Sequence, residues 1–225
     1  KNNKKVVFLT NAPRPCSVVK QYLLNLGMKK NLLKNIMSSG EASMEALKKE
    51  KFGKLFFHLG PNKDNEIFMN VKKNKVSLDQ CEFILCTGLI EDKENDLEYH
   101  KDLLKNYVSK KLICTNPDLI VHRGDIAEYC AGTIAQIFES IGGESVYFGK
   151  PYKEIYKMCF TSSEKVIAIG DNLNTDIRGA NNMSIDSVLI SDGVHRSDFN
   201  DESELKNLSL KHKAEASYYQ PQLIW

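Results

Sequence analysis

The stretch KVIAIGDNLNTDIRGANN, residues 165–182, sets how the whole chain is read. Its run VIAI (166–169) is short, apolar and rich in β-branched residues, which is the pattern of a buried strand. The run stops at Gly170-Asp171, and a second acid, Asp176, follows five residues later on a segment that reads as a helix. In an open parallel sheet, ligands bind beyond the carboxyl ends of the strands. An acid at that point is therefore a candidate for chemistry.

Strand-like and helix-like segments alternate outward from this stretch. KKVVFLT (4–10), KLFFHLG (54–60), CEFILCTG (81–88), KLICTNPD (111–118), SVYFGKP (145–151) and DSVLISDG (186–193) read as further strands. VVKQYLLNLG (18–27), EASMEALKKE (41–50), LEYHKDLLKNYVSK (97–110), GTIAQIFESIGG (132–143) and YKEIYKMCF (152–160) read as helices, as does NTDIRGANN (174–182). In GTIAQIFESIGG, Ile134, Ile137, Phe138 and Ile141 fall on one helix face, and Gly142-Gly143 end the helix. Repeated alternation implies the α/β class: a doubly wound, mainly parallel sheet covered by helices. The strands are too many for one simple sheet in 225 residues, so two α/β units are expected. The polar, irregular stretch GPNKDNEIFMNVKKNKVS (60–77) reads as a surface excursion.

Composition narrows the function classes. Thirty-one basic against 29 acidic residues leave a formal net charge of +2, which does not favour nucleic acid as partner. No apolar run reaches the ~18 residues of a membrane span, and no signal peptide is visible. The six cysteines, at 16, 81, 86, 114, 130 and 159, form no C-x-x-C pair. Most lie in apolar runs, so buried free thiols in a reducing cytoplasm are the expectation, and a zinc site is not. The chain starts without Met and almost directly in a strand, which reads as a truncated N-terminus.

The residues that follow the apolar runs form a short set. Thr10-Asn11 follow VVFL, Lys150-Pro151 follow VYFG, and Asp171 with Asp176 follow VIAIG. A hydroxyl, an amide, an ammonium and two carboxylates suit a phosphate with a hard divalent cation, since Mg²⁺ prefers oxygen ligands. Each residue also has a plain structural reading. Thr10-Asn11 could open a turn and cap the next helix ahead of Pro15. Lys150 could be a solvated loop lysine. Asp171 could cap the following helix, and Asp176 could pair with Arg178.

VVFLTNAPRP (6–15), YFGKP (147–151) and VIAIGDNLNTDIRGA (166–180) resemble, in that order, motifs II, III and IV of the haloacid-dehalogenase-like (HAD) hydrolases. The similarity is to class IIA, whose members include phosphatases of small phosphate esters. IMSSGEAS (36–43), CEFILCTGL (81–89) and ICTNPDLIVHRG (113–124) resemble that class and its inserted α/β cap. The resemblance implies a core from residues 1–38 and 144–225 with a cap at 39–143. It implies that Asp171 binds Mg²⁺ and that Asp176 orients Asp171 or a metal-bound water. Thr10 would hydrogen-bond the transferring phosphoryl group, with Asn11 at the same mouth. Lys150 would stabilise charge on nucleophile and phosphate. The implied mechanism is two-step: an aspartate attacks phosphorus, the alcohol leaves after protonation, and water hydrolyses the aspartyl phosphate.

One part of the family pattern does not occur in these 225 residues. Motif I, the D-x-D strand that carries the nucleophile, should precede VVFLT. A fragment is the expectation, and the chain by itself is expected to be inactive. Asn116 and Asp118 of TNPD, with His122 and Arg123 of VHRGD, are the cap's candidate substrate contacts; a surface strand–turn pair is the plainer reading of these segments. The expected partner is a small phosphorylated substrate such as a sugar phosphate, a nucleotide or phosphoglycolate. Homo-oligomerisation through the cap is a further expectation. The competing function is a HAD-fold binding or regulatory protein without the nucleophile. A dinucleotide-binding domain would need G-x-G-x-x-G after the first strand, and FLTNAPRP has no Gly there.

Overall fold

Short β-branched and aromatic runs become parallel strands in each part of the chain, and the amphipathic runs between them become helices. The computed structural model describes residues 4–123 and 126–224, with the side chains of His122 and Arg123 outside the described set. The chain divides into two units, Lys1–Gly149 and Lys150–Trp225.

In the first unit, β1 (Phe8–Thr10) pairs in parallel with β2 (Ile36–Ser38), with Phe8 opposite Ile36 and Thr10 opposite Ser38. Helix α1 (Cys16–Asn25) connects the two strands, and α2 (Ser39–Lys48) follows directly. Ser38 starts α2 by accepting the amide of Glu41 at 3.0 Å, one of the donors a helix leaves unpaired at its first turn.

A second parallel sheet has the order β3 (Phe56–Leu59), β4 (Phe83–Cys86), β5 (Lys111–Cys114) and β8 (Glu144–Tyr147). Helices α3 (Leu97–Leu104) and α4 (Ala131–Ser140) belong to its crossovers. Leu59, Ile84, Cys86, Leu104, Leu112, Ile134 and Phe138 pack into one core. Strands β6 (Ile120–Arg123) and β7 (Ile126–Tyr129) form an antiparallel hairpin.

Residues 60–77 are not the surface excursion their polarity suggests. They wind through short 3₁₀ turns, Asn62–Asn74, and bury Asp64, Ile67, Phe68 and Asn74. The Phe68 ring meets Phe56 edge-on at 5.2 Å. Two adjacent apolar residues in a charged segment have no helical or strand period, yet they are enough to anchor it.

The second unit has a three-stranded parallel sheet in the order β11 (Tyr218–Gln220), β10 (Asp186–Ile190), β9 (Ile167–Gly170). It also holds α5 (Lys153–Lys157), α6 (Arg178–Met183) and α7 (Glu202–His212). Leu173, Ile177, Leu189, Leu205 and Ala214 form its core. Strand β9 is an edge of this sheet, and its Ile167 and Ile169 are 49% and 42% exposed. Of the six free thiols, those at 81, 86, 114, 130 and 159 are buried and Cys16 is half-buried.

Candidate functional site

Strand β9 delivers Gly170 and Asp171 to its carboxyl end, and one π-helical turn, Leu173–Ile177, follows. The amide of Ile177 donates to the carbonyl of Asn172 at 3.2 Å, the wide turn often found at functional sites. The helix cap is Asn172, whose side chain accepts the Asn174 amide at 2.8 Å; the capping alternative for Asp171 does not hold. Asp171 Oδ2 instead accepts the amide of Val194 at 3.1 Å. Asp171 Oδ1 has no hydrogen-bond donor among the described residues.

Asp176 is held from both sides. Its Oδ2 accepts the amides of Asp171 and Asn172, each at 3.2 Å. Its Oδ1 accepts Lys150 Nζ at 2.7 Å, with the two side chains only 16% and 13% exposed. The plain readings of a solvated Lys150 and of an Asp176–Arg178 pair both fall; Arg178 donates to the carbonyl of His212. Two glycines make room for the acids. A Cβ at Gly170 would lie 2.2 Å from Asp176 Cγ, and one at Gly193 would lie 2.3 Å from Asp171 Cβ. No side chain fits at either place without moving a carboxylate.

The first unit gathers its own expected residues at strand ends. Thr10 Oγ1 accepts the amide of Ala12 at 3.2 Å, so the hydroxyl shapes a turn and keeps its proton to donate. Asn11 Nδ2 donates to Asp118 Oδ1 at 2.9 Å, and the Asp118 amide donates to Asn116 Oδ1 at 3.1 Å. Asn11, Asn116 and Asp118, far apart in sequence, thus form one hydrogen-bonded group, with Asn11 and Asn116 buried. His122 and Arg123 lie on β6, and their side chains are outside the described residues.

Sequence reasoning missed two clusters. At the carboxyl ends of β3 and β4, His58 Nε2 lies 2.9 Å from Thr87 Oγ1. Asp64, buried nearby, faces Arg14 Nε at 3.5 Å. Burial pushes the Asp64 carboxyl up and His58 down, the latter to about 4 with Lys75 adding to the effect. No strand-end reading reaches Asp64, because it sits inside the segment taken for surface loop. The second cluster is His195 with Asp198, beyond the end of β10, where the strand-end rule would have found it.

Among the described residues no group of three or more His, Cys, Asp or Glu side chains is placed to hold a metal. The free oxygen of Asp171 fits a hard cation as a single contribution, with Asp176 already engaged by Lys150.

A family model described as HAD-hydrolase-like matches residues 147–214, which contain Lys150, Asp171, Asp176 and His195. The ribonucleotide monophosphatase NagD of Escherichia coli (strain K12) is 31% identical over 88 residues, 37% of this chain and 34% of that protein. Dihydroxyacetone phosphatase of Corynebacterium glutamicum (strain R) is 27% identical over 89 residues, 37% of this chain and 32% of that protein. The matched stretch thus spans about a third of the curated relatives. Among solved structures, a haloacid dehalogenase-like hydrolase from Brucella suis 1330 superposes with a TM-score of 0.82. It is 26% identical, over 98% of this chain and 83% of that one.

Proposed function

We propose that this chain, a haloacid-dehalogenase-like protein, belongs to a class IIA phosphatase that hydrolyses small phosphate monoesters. The observation that carries the reading is the acid pair beyond β9. Asp176 is neutralised by Lys150 and tied to two backbone amides, while Asp171 keeps one oxygen available. That division of labour suits one acid that contacts a cation and one that fixes the loop.

In this proposal residues 1–38 and 144–225 form the catalytic core and 39–143 the cap. Because β8 pairs with β5, the cap's sheet runs on to Tyr147. Asp171 would hold Mg²⁺, which when bound supplies positive charge against the phosphoryl oxygens. Thr10 donates its hydroxyl proton to the phosphoryl group, Asn11 lies beside it, and Lys150 offsets negative charge. Asn116 and Asp118 contact the substrate. The attacking carboxylate belongs to a D-x-D strand, and the free edge of β9 with its two exposed isoleucines supports one more strand pairing there. The substrate's neighbours in the relatives are a ribonucleotide and dihydroxyacetone phosphate, as their names state, and both are small phosphate esters.

The test is Asp171→Asn in the protein that includes the D-x-D strand, assayed on p-nitrophenyl phosphate with and without Mg²⁺. Loss of the Mg²⁺-dependent rate is expected. Full activity in the variant removes Asp171 from the site.

A further inference from the structure

His195 is nearly fully buried and is used by no step of the proposed reaction. Its Nε2 receives the backbone amide of Leu173 at 3.2 Å, and its Nδ1 lies 2.8 Å from Asp198 Oδ2. An amide N–H only donates, so Nε2 carries the lone pair and Nδ1 the proton, which it gives to Asp198. One neutral tautomer satisfies both partners. The ring also packs on His212 at 5.1 Å between centroids, and His212 Nδ1 lies 2.9 Å from Asn174 Oδ1. The preceding residue, Val194, supplies the amide that Asp171 accepts.

We propose that His195 is a positioning residue for the acid loop: by accepting the Leu173 amide it fixes the backbone between Asp171 and Asp176, and so sets where the free oxygen of Asp171 points. Two adjacent residues, Val194 and His195, then grip the loop at two points, one on the Asp171 carboxylate and one on the chain two residues later. Without the acceptor on Nε2, the Leu173 amide is left buried and unpaired, and the loop must shift to satisfy it. The metal half of this inference rests on the reading of Asp171 as a cation ligand; the hydrogen-bond half does not.

The experiment compares His195→Phe, which keeps a ring and removes the acceptor, with His195→Gln, whose amide oxygen can still accept. Circular dichroism checks folding. Amide hydrogen exchange reads Leu173, with Leu189 in β10 as the internal control, and calorimetric titration with Mg²⁺ alone reads the loop's function. His195→Phe should exchange Leu173 at least ~10-fold faster with Leu189 unchanged, and should weaken Mg²⁺ by a similar factor. His195→Gln should recover most of both. In the parent chain, ¹⁵N spectra should show the Nδ1–H tautomer. Unchanged Leu173 exchange in the Phe variant, equal acceleration at Leu173 and Leu189, or the opposite tautomer each overturn the proposal. If the parent binds no Mg²⁺, the metal half of the inference is overturned, while exchange and tautomer still decide the role of His195. If Leu173 loosens and Mg²⁺ affinity does not change, positioning of the cation ligand is overturned.

Discussion

Lys150 Nζ donates to Asp176 Oδ1 across 2.7 Å, and both side chains are largely shielded from water. Both partners lie in the second unit: the lysine is its first residue, and the acid stands in the turn after β9, 26 positions further along the chain. Asp176 therefore has little freedom left to meet a ligand. This pairing, together with the two amides on Oδ2, is why the proposed cation contact is assigned to Asp171 and not to Asp176.

Lys150→Met keeps the stem and removes the charge. Asp176 Oδ1 then loses its donor in a shielded place, which costs about 1–3 kcal/mol of stability. If Lys150 acts at the phosphoryl group as proposed, kcat in a version of the protein that carries a D-x-D strand should also fall ~10²–10³-fold, the loss of one electrostatic contact. Urea unfolding and p-nitrophenyl phosphate assays measure the two effects separately. A variant as stable and as active as its parent would remove Lys150 from both roles. Lys153, three residues on at the start of α5, serves as the control.

Gly193→Ala tests the cradle around Asp171 without touching an acid. The added Cβ would stand 2.3 Å from Asp171 Cβ, so either the loop or the carboxylate must move. Mg²⁺ affinity should drop by ~10-fold or more, with far-ultraviolet circular dichroism unchanged, since misplacing a ligand by about 1 Å is enough. Wild-type affinity in Gly193→Ala would mean that the Asp171 position is not critical.

Much of this was legible in the sequence, and the limits have physical causes. Asp171, Asp176 and Lys150 stand out because apolar strands make the first polar residue after them conspicuous. The same rule reached Thr10 and Asn11, while Asn116 and Asp118 came from the family resemblance; the structure joins Asn11, Asn116 and Asp118 by hydrogen bonds within one unit. Strand β2 is only three residues long, IMS, and shows no alternation to read. Helix α7 buries just Leu205 along its length, so its apolar face is too thin to mark it. Strand β11, YYQ, has two exposed tyrosines and no buried residue, and its pairing with β10 depends on a partner far earlier in the chain. Asp64 was hidden because a single buried acid in a charged segment looks like its exposed neighbours.

The His58–Thr87 contact gives the first unit a pH signature. Burial holds the imidazole at about 4 against 6.5 when unfolded. Below pH 6.5 the unfolded chain takes up a proton that the folded one refuses, so stability falls as pH drops from 6.5 and levels off near 4. The full effect is about 3 kcal/mol. Asp64, whose carboxyl is raised by burial, acts in the opposite sense: its contribution is present at low pH and is lost as pH rises through its folded value. Denaturant titrations at a series of pH values should show the His58 slope in the parent and a flatter profile in His58→Asn. An identical slope in both would mean that the proton uptake lies elsewhere.

Strand β9 sets the last expectation. Among the described residues it pairs with β10 alone, and Ile167 and Ile169 on it are 49% and 42% exposed. A free edge with exposed apolar residues is a template for another strand. The 225-residue chain should self-associate through that edge. Light scattering should then show species larger than a monomer that grow with protein concentration. Ile169→Lys places a charge on the edge, which blocks strand addition, and should return the chain to a monomer with unchanged circular dichroism. Because Ile169 is 42% exposed, the same substitution should change the urea-unfolding stability of the chain by less than ~1 kcal/mol. A chain that stays monomeric at every concentration would show that the β9 edge does not take up another strand and would remove that support from the proposed place of the nucleophile's strand.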